Sequence, residues 1–478
     1  MDKSKWINLI RGIIVAAVAG TILVVTTNVL VLKSEDGFSQ IEAMYKQKNN
    51  TVDVIFLGSS QAYCNINTGV LWDEYGMAAF DLGGAEAPTW NSYYYLKEAL
   101  KTQRPKIVAL EISTMALQPF EYQYYAWIED NHYGMNWGEN RIDSLKISTP
   151  DDEFYDYLFA LGPMHGRYND LSKNDFVNEN NSINYKGFDP RETINPIEEP
   201  DVSGVTELGE VPEKHLTYYY KIIELCKSEN IPLVVIKAPY DVTEDEQKVY
   251  NLIFDIADQN DVPYIDFNKC YDEMGLDFAT DMADSSHVNM SGNYKYSKYL
   301  GQRIKEMVEL EDHRGDSKYN SWEADAMAHR AERENADLRN AKSNADFVKA
   351  LNNPDFLSVI ILSPTTSVSE GKIDDEVIAA FAEMGVPAEC LEGGCSIILS
   401  GGVPAYADDE KNFRISIDNK DDTLLFVRNE DDGEYAGYVT SIYLNEDKYN
   451  FNDAKMEIFV YNTNSCEQVT MRTIEKSE

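Results

Sequence analysis

The sequence predicts an α/β protein: a parallel, doubly wound sheet behind one apolar N-terminal helix, followed by a smaller, mostly β domain of the α+β kind. Three observations predict it. Between residues 51 and 310, short unbroken apolar runs alternate with amphipathic helical stretches, the pattern of parallel strands buried on both faces and joined by helices. Residues 12–32 carry no charge and are long enough to cross a hydrocarbon layer as a helix. Beyond residue 345, strand-like runs follow one another closely around a single helix. A chain of 478 residues exceeds one ordinary domain. The expected organisation is a cytoplasmic tip and anchor over 1–35, an α/β domain over 36–310 with an insertion at 120–203, a helical spacer over 311–344 and a β-rich domain over 345–478.

Charge narrows the function classes. With 82 acidic and 42 basic residues the net charge is −40, a surface that repels nucleic acid and anionic lipid and keeps a protein soluble in a salty extracellular medium. Six cysteines without a Cys-x-x-Cys pair, and six scattered histidines, make neither a disulfide scaffold nor a structural zinc site. No metal or cofactor is expected.

Taken in order, Lys3, Lys5 and Arg11 precede the apolar run, and Lys33, Glu35 and Asp36 close it. Basic residues on the N-terminal side favour a cytoplasmic N-terminus and an extracytoplasmic remainder. A cleaved signal peptide is the rival reading, but the run is long for one and no small-x-small site ends it. Asn28 and three threonines make the span mildly polar, as for a helix with a partner, although a plain anchor needs no such role. Residues 38–48 read as a short amphipathic helix, and 51–57 as the first strand. The second strand, 79–82, runs into Gly83-Gly84; Pro88 opens a helix to residue 100, and 106–112 is the third strand. From 120 to 203 the chain is acidic, aromatic and broken by Pro, Gly and Asn. Its rings either pack a cap over the sheet, the commoner use, or wall a sugar site; Trp90, Trp127 and Trp137 are the rings expected to touch substrate. His132 and His165 read as structural. A helix to residue 227, a strand at 232–236, a helix at 244–259 with Thr243 and Glu246 at capping-box spacing, a strand at 262–267 and a closing helix at 291–309 complete the domain. Residues 311–344, polar and rich in Ala, Glu and Arg, read as a spacer. Strands are expected at 356–363, 396–400, 414–417, 423–428, 439–444, 455–461 and 468–473, with a helix at 374–384.

Two motifs carry chemistry. Val54-Ile55-Phe56-Leu57-Gly58-Ser59-Ser60-Gln61 is a buried strand running into a tight turn, the way an α/β enzyme lifts a nucleophilic serine from a strand end. Asp284-Ser285-Ser286-His287 supplies a base and its orienting acid in one loop. The plainer reading makes both motifs helix N-caps.

Gly58-Ser59-Ser60 after a strand, Gly83-Gly84 after the next and Asp284-x-x-His287 before the last helix together resemble the SGNH (GDSL-like) hydrolase superfamily. More narrowly, the set is similar to its membrane-anchored branch, which works beside membrane-bound O-acyltransferases on bacterial cell-surface polymers. The resemblance covers roughly residues 51–310 and implies a flavodoxin-like sheet, Ser60 as nucleophile, His287 as base, Asp284 as orienting acid, and the N–H groups of Ser60 and Gly83 facing an oxyanion. That family's third oxyanion donor is an Asn after strand three; here the place reads Leu110-Glu111-Ile112-Ser113. A carboxylate there opposes an oxyanion, so Glu111 is expected to point elsewhere, and the departure suits acyl transfer, or an inactive site, better than ordinary ester hydrolysis. In the last domain, residues 356–363, the helix ending Glu383-Met384-Gly385, residues 395–404 and residues 455–461 are similar to the interleukin-like (EMT inducer) domain, which is lectin-like. Outside the membrane, one disulfide among Cys390, Cys395 and Cys466 fits; Cys64, Cys226 and Cys270 read as buried apolar residues.

The expected function is thus a single-pass, extracytoplasmic serine acyltransferase or esterase acting on acyl groups, acetyl first, of a cell-envelope polysaccharide. A membrane-bound O-acyltransferase is the implied partner. The alternative is a catalytically inactive, membrane-anchored carbohydrate-binding or partner-docking protein.

Overall fold

The computed structural model describes residues 3–34, 36–117, 120–159, 162–177, 186–361, 373–387, 390–391, 396–408, 413–431, 437–450 and 456–474. The chain divides into two compact units, residues 1–326 and 327–478.

The first unit begins with helix α1 (Lys3–Leu30), whose stretch Ser4–Leu30 is long and apolar enough to cross a membrane. Helix α2 (Phe38–Lys46) leads into a five-stranded parallel sheet of order β2-β1-β3-β4-β5, made of β1 (Val54–Gly58), β2 (Ala79–Gly83), β3 (Ile107–Glu111), β4 (Leu233–Lys237) and β5 (Tyr264–Asp266). Side chains alternate across a strand, so β1 feeds two cores at once. Ile55 and Leu57 join Phe80, Leu110 and Val235 on one face, under α5 (Thr89–Ala99) and the helices Glu213–Glu229 and Glu244–Gln259. Val54 and Phe56 join Ala79, Ala109 and Ile236 on the other, under α4 (Thr68–Tyr75) and the helix Met290–Met307. Burial on both faces explains why β1, β2, β3 and β4 are apolar almost without interruption.

Boundaries differ from the sequence reading for local reasons. Strand β1 starts at Val54 rather than at residue 51 because Gln103 Oε1 takes the N–H of Thr51 and of Val52 at 3.0 and 3.3 Å. The edge strand β5 is short because Val262 N–H closes back on Ala257 O at 2.9 Å and Asp266 caps a 3₁₀ turn at Phe267–Lys269. The expected spacer is a larger correction. Tyr319 and Trp322 are buried in the first unit, their rings 6.3 and 6.5 Å from that of Trp72, and Trp322 Nε1 donates to Ala79 O at 3.1 Å. The division between units falls inside the helix Asn320–Arg339, not along a free linker.

The second unit holds a five-stranded antiparallel sheet of order β14-β13-β6-β7-β8 and a four-stranded one of order β12-β11-β10-β9. The strands are β6 (Phe356–Ile361), β7 (Ser396–Ser400), β8 (Val403–Asp408), β9 (Phe413–Asn419), β10 (Asp422–Asp431), β11 (Gly437–Leu444), β12 (Asp447–Asn450), β13 (Met456–Asn462) and β14 (Glu467–Ile474). One core joins the first sheet to the helices Asn344–Ala350 and Asp375–Glu383. The other joins Leu357, Ile398, Phe459 and Tyr461 to Leu424, Phe426 and Ile442 of the second sheet. The sequence reading missed β8 and β12, both edge strands: Pro404 sits beside a bulge, and β12 is polar.

Candidate active site

The site forms where β1 ends. Gly58 has φ +152°, and a Cβ there would lie 2.8 Å from Glu111 Cβ, so only glycine lets the strand turn against its neighbour. The turn opens α3 (Ser60–Tyr63). Its two serines divide the roles that the sequence left open. Ser59 is the N-cap, its Oγ accepting from Gln61 N at 3.2 Å. Ser60 is the first helical residue, its Oγ pointed at His287 and its N–H at a position where no earlier turn supplies an acceptor.

The other half comes from the loop before the helix Met290–Met307. His287 Nε2 lies 2.8 Å from Ser60 Oγ, and Nδ1 lies 3.0 Å from both oxygens of Asp284. Asp284 Oδ1 also accepts the N–H groups of Ser286 and His287, at 2.7 and 3.0 Å. Burial pushes the Asp284 carboxyl up, but the hydrogen bond and charge of His287 and those two N–H donors outweigh it, and its pKa settles below the usual carboxylate range. The loop is pinned on three sides. Met282 bridges Val288, Asn289 caps the following helix through Ser291 and Gly292, and Val288 N–H donates to Asn65 Oδ1 at 3.1 Å. That last bond ties the loop carrying His287 directly to the chain leaving Ser60.

Beneath the serines lies a buried polar network that the sequence reading did not assemble. Ser59 Oγ and Ser113 Oγ are 2.7 Å apart, and Ser113 Oγ donates to Glu111 Oε2 at 2.7 Å. Lys237 Nζ donates to Glu111 Oε1 at 3.2 Å, to Gln61 Oε1 at 2.5 Å and to Ala238 O at 2.7 Å. The Glu111 and Lys237 side chains are both fully buried. The Glu111 carboxylate thus bonds Ser113 and Lys237, under the turn. The signal available was a lone Lys closing the apolar run Leu233-Val234-Val235-Ile236.

Gly83 pairs with Gly58, and a Cβ on it would lie 3.0 Å from Ser59 O, so β2 runs tight against the serine turn. Gly84 is closed in by Asn131, whose Oδ1 would overlap a Cβ there and whose Nδ2 donates to Ala85 O at 2.8 Å. The insertion thus brings an Asn to the glycine pair, from a distance in sequence no motif could reveal.

The structure brings none of the three tryptophans into the Ser60–His287–Asp284 cluster. Trp90 is a core residue, 1% exposed, with Nε1 donating to Ser148 Oγ at 2.8 Å; both ring faces are covered, which corrects its assignment to substrate. Trp137 stacks under the Arg141 guanidinium at 4.2 Å. Trp127 is half-buried at the end of the 3₁₀ turn Tyr125–Trp127. His132 is buried and bonds Ile128 O, Ser144 Oγ and Ser148 Oγ, and His165 is exposed and bonds Gly162 O. Other rings of the insertion do face solvent. A cavity of about 750 Å³ is lined by Tyr94, Tyr122, Tyr218, Glu121, Asp143 and Lys214 among others. Cys64 and Cys226 are buried, but Cys270 is only half so. Cys390 and Cys466 are free thiols, which removes their mutual pairing; Cys395 lies outside the described residues. No family model matches the chain, and no curated protein matches it.

Proposed function

We propose that this protein is a membrane-anchored, extracytoplasmic serine acyltransferase or esterase of the SGNH kind, acting on O-acyl groups, acetyl first, of a cell-envelope polysaccharide. The observation that carries this is the 2.8 Å approach of His287 Nε2 to Ser60 Oγ, with Asp284 on the far ring nitrogen. His287 takes the Oγ proton as Ser60 attacks the ester carbonyl, then returns it to the departing alkoxide; a sugar hydroxyl or water, deprotonated in turn, resolves the acyl-enzyme. Asp284 holds the tautomer that leaves Nε2 free to accept. The N–H groups of Ser60 and Gly83 are the proposed oxyanion donors, each of this type worth about 3 kcal/mol in a transition state.

The sheet order 2-1-3-4-5 supports the flavodoxin-like reading, in which sites lie at the carboxyl ends of strands. The Glu111–Lys237 pairing supports an active rather than a dead site, since it removes the carboxylate that would repel an oxyanion. Glycan binding, apart from the chemistry, is supported by the ring-lined cavity, which sets Tyr94, Tyr122 and Tyr218 beside carboxylates and the lysines Lys146 and Lys214 but is lined by none of Ser60, His287 and Asp284. That same cavity favours the second reading, a glycan-holding protein without turnover, with the lectin-like reading of the second unit beside it. A membrane-bound O-acyltransferase as acyl donor follows from the resemblance alone.

Labelling tests the first reading. A fluorophosphonate probe is expected to modify Ser60 of the full chain in detergent, read by peptide mass spectrometry, and His287→Ala is expected to abolish the adduct. A folded protein that takes up no probe at Ser60, yet binds acetylated oligosaccharide equally well as Ser60→Ala, replaces the first reading with the second.

A further inference from the structure

The outer end of α1 does not leave the domain freely. Leu30 and Val31 are 6% and 3% exposed, packed with Phe38 and Tyr133. Beside this contact is a cavity of about 340 Å³, walled by Val25 and Val29 of α1, by Phe38, and by Trp137 and Arg141 of the insertion. Arg141 is 3% exposed. Its Nη1 donates to Tyr133 O and Met135 O at 3.3 and 2.9 Å, while its Nη2 is buried without an acceptor. Trp137 Nε1, under the same guanidinium, is also buried without an acceptor. Among the described residues no carboxylate pairs with Arg141. The other charged groups lining the cavity are engaged: Asp175 with Arg167 at 2.7 Å, Glu42 with Lys46 at 3.4 Å, and Lys33 with the carbonyls of Asn28 and Val31. Burial pulls the Arg141 guanidinium down to about 10.

A buried guanidinium without a counter-charge is costly, and a second orphaned donor beside it points to a missing oxyanion. Arg is the side chain best matched to phosphate, which it grips through two parallel N–H donors. Location identifies the carrier. A helix of 28 residues is about 42 Å long, the thickness of a bilayer with its headgroup layers, so a spanning α1 sets its last turn and this cavity among headgroups. Val25 and Val29 then offer an apolar track for an acyl chain. We propose that this cavity binds the phosphate of an anionic lipid of the outer leaflet, held by Arg141 Nη2 and Trp137 Nε1, a local buried cation acting against the repulsion of the chain's overall negative charge. The site depends on α1 staying attached, and is independent of the chemistry at Ser60.

Native mass spectrometry of the full chain in mild detergent tests it, with phosphatidylglycerol, a diacylglycerol of the same chains, and inorganic phosphate as probes. Phosphatidylglycerol is expected to stay bound. Trp137→Phe, which keeps the ring and removes the donor, and Arg141→Leu are each expected to weaken retention roughly tenfold or more. Retention of diacylglycerol equal to phosphatidylglycerol overturns the phosphate assignment. Tight binding of inorganic phosphate alone overturns the lipid as its carrier. Arg141 also holds two carbonyls, so Arg141→Leu is read beside Trp137→Phe; unchanged retention in a folded Trp137→Phe overturns the site.

Discussion

Ser60 and Ser59 are chemically identical and structurally opposite. One is a half-buried first residue of a helix aimed at an imidazole; the other is buried, caps that helix and reaches down to Ser113. Ser59→Ala should therefore cost about 1 kcal/mol of stability and leave labelling at Ser60 detectable, whereas Ser60→Ala should remove labelling while leaving the melting temperature near that of the parent. Asp284→Asn should cut turnover of an activated acetyl ester by a factor on the order of 10³–10⁴, because the amide no longer enforces the productive tautomer. A variant with more than half the parent rate would remove Asp284 from the mechanism. His132 gives a pH signature of its own. Burial pulls its imidazole down to about 4, below the ordinary 6.5, so between those values the unfolded chain binds the extra proton and stability falls as pH is lowered. The loss should reach about 3 kcal/mol near pH 4. Urea midpoints at pH 7 and pH 4.5 should converge in His132→Gln if this is the group responsible. The catalytic candidates were legible because nucleophile, glycine pair and Asp-x-x-His each announce themselves within four residues. Asn131 and Lys237 were not, because their meaning depends on what lies across the sheet.

At the level of elements, β1 is paired on both sides, to β2 and to β3, and a buried ion pair lies beyond its end. The Glu111–Lys237 pair joins the ends of β3 and β4 under the serine turn. Lys237→Met leaves a buried carboxylate without its partner and should cost about 3–5 kcal/mol, while the double variant Lys237→Met/Glu111→Gln should recover most of that loss. Equal destabilisation in the single and double variants would show that packing, not charge, is at stake. The strand and helix sequence was readable because β1 to β4 are short apolar runs between helices that carry clear start signals, as in the Thr243–Glu246 capping box. The ends were not readable. Gln103 ends one ladder from 52 residues away, and nothing in residues 51–53 announces that. Nor did composition reveal that Tyr319 and Trp322, within a stretch of Ala, Glu and Arg, anchor a helix to the first core.

For the whole molecule, two units with separate cores should unfold in two calorimetric transitions. Trp322→Ala should lower only the one belonging to residues 1–326, by about 3–5 kcal/mol. A single transition, shifted as one, would mean that the units fold as one cooperative block. The sequence reading put a spacer over 311–344, and the division after residue 326 falls inside that stretch, where a polar helix ends one core and opens another without any change of period. The seating of Leu30 and Val31 against Phe38 and Tyr133 has a further consequence. With α1 in a membrane, the body would be seated on its anchor rather than strung from it like a bead, and for a unit of this size Ser60 would lie in a layer roughly 40 Å deep. If the protein acts as proposed, polymer would meet Ser60 only inside that layer, so acyl marks would be set by the order in which chain passes the membrane rather than by random encounter in the wall.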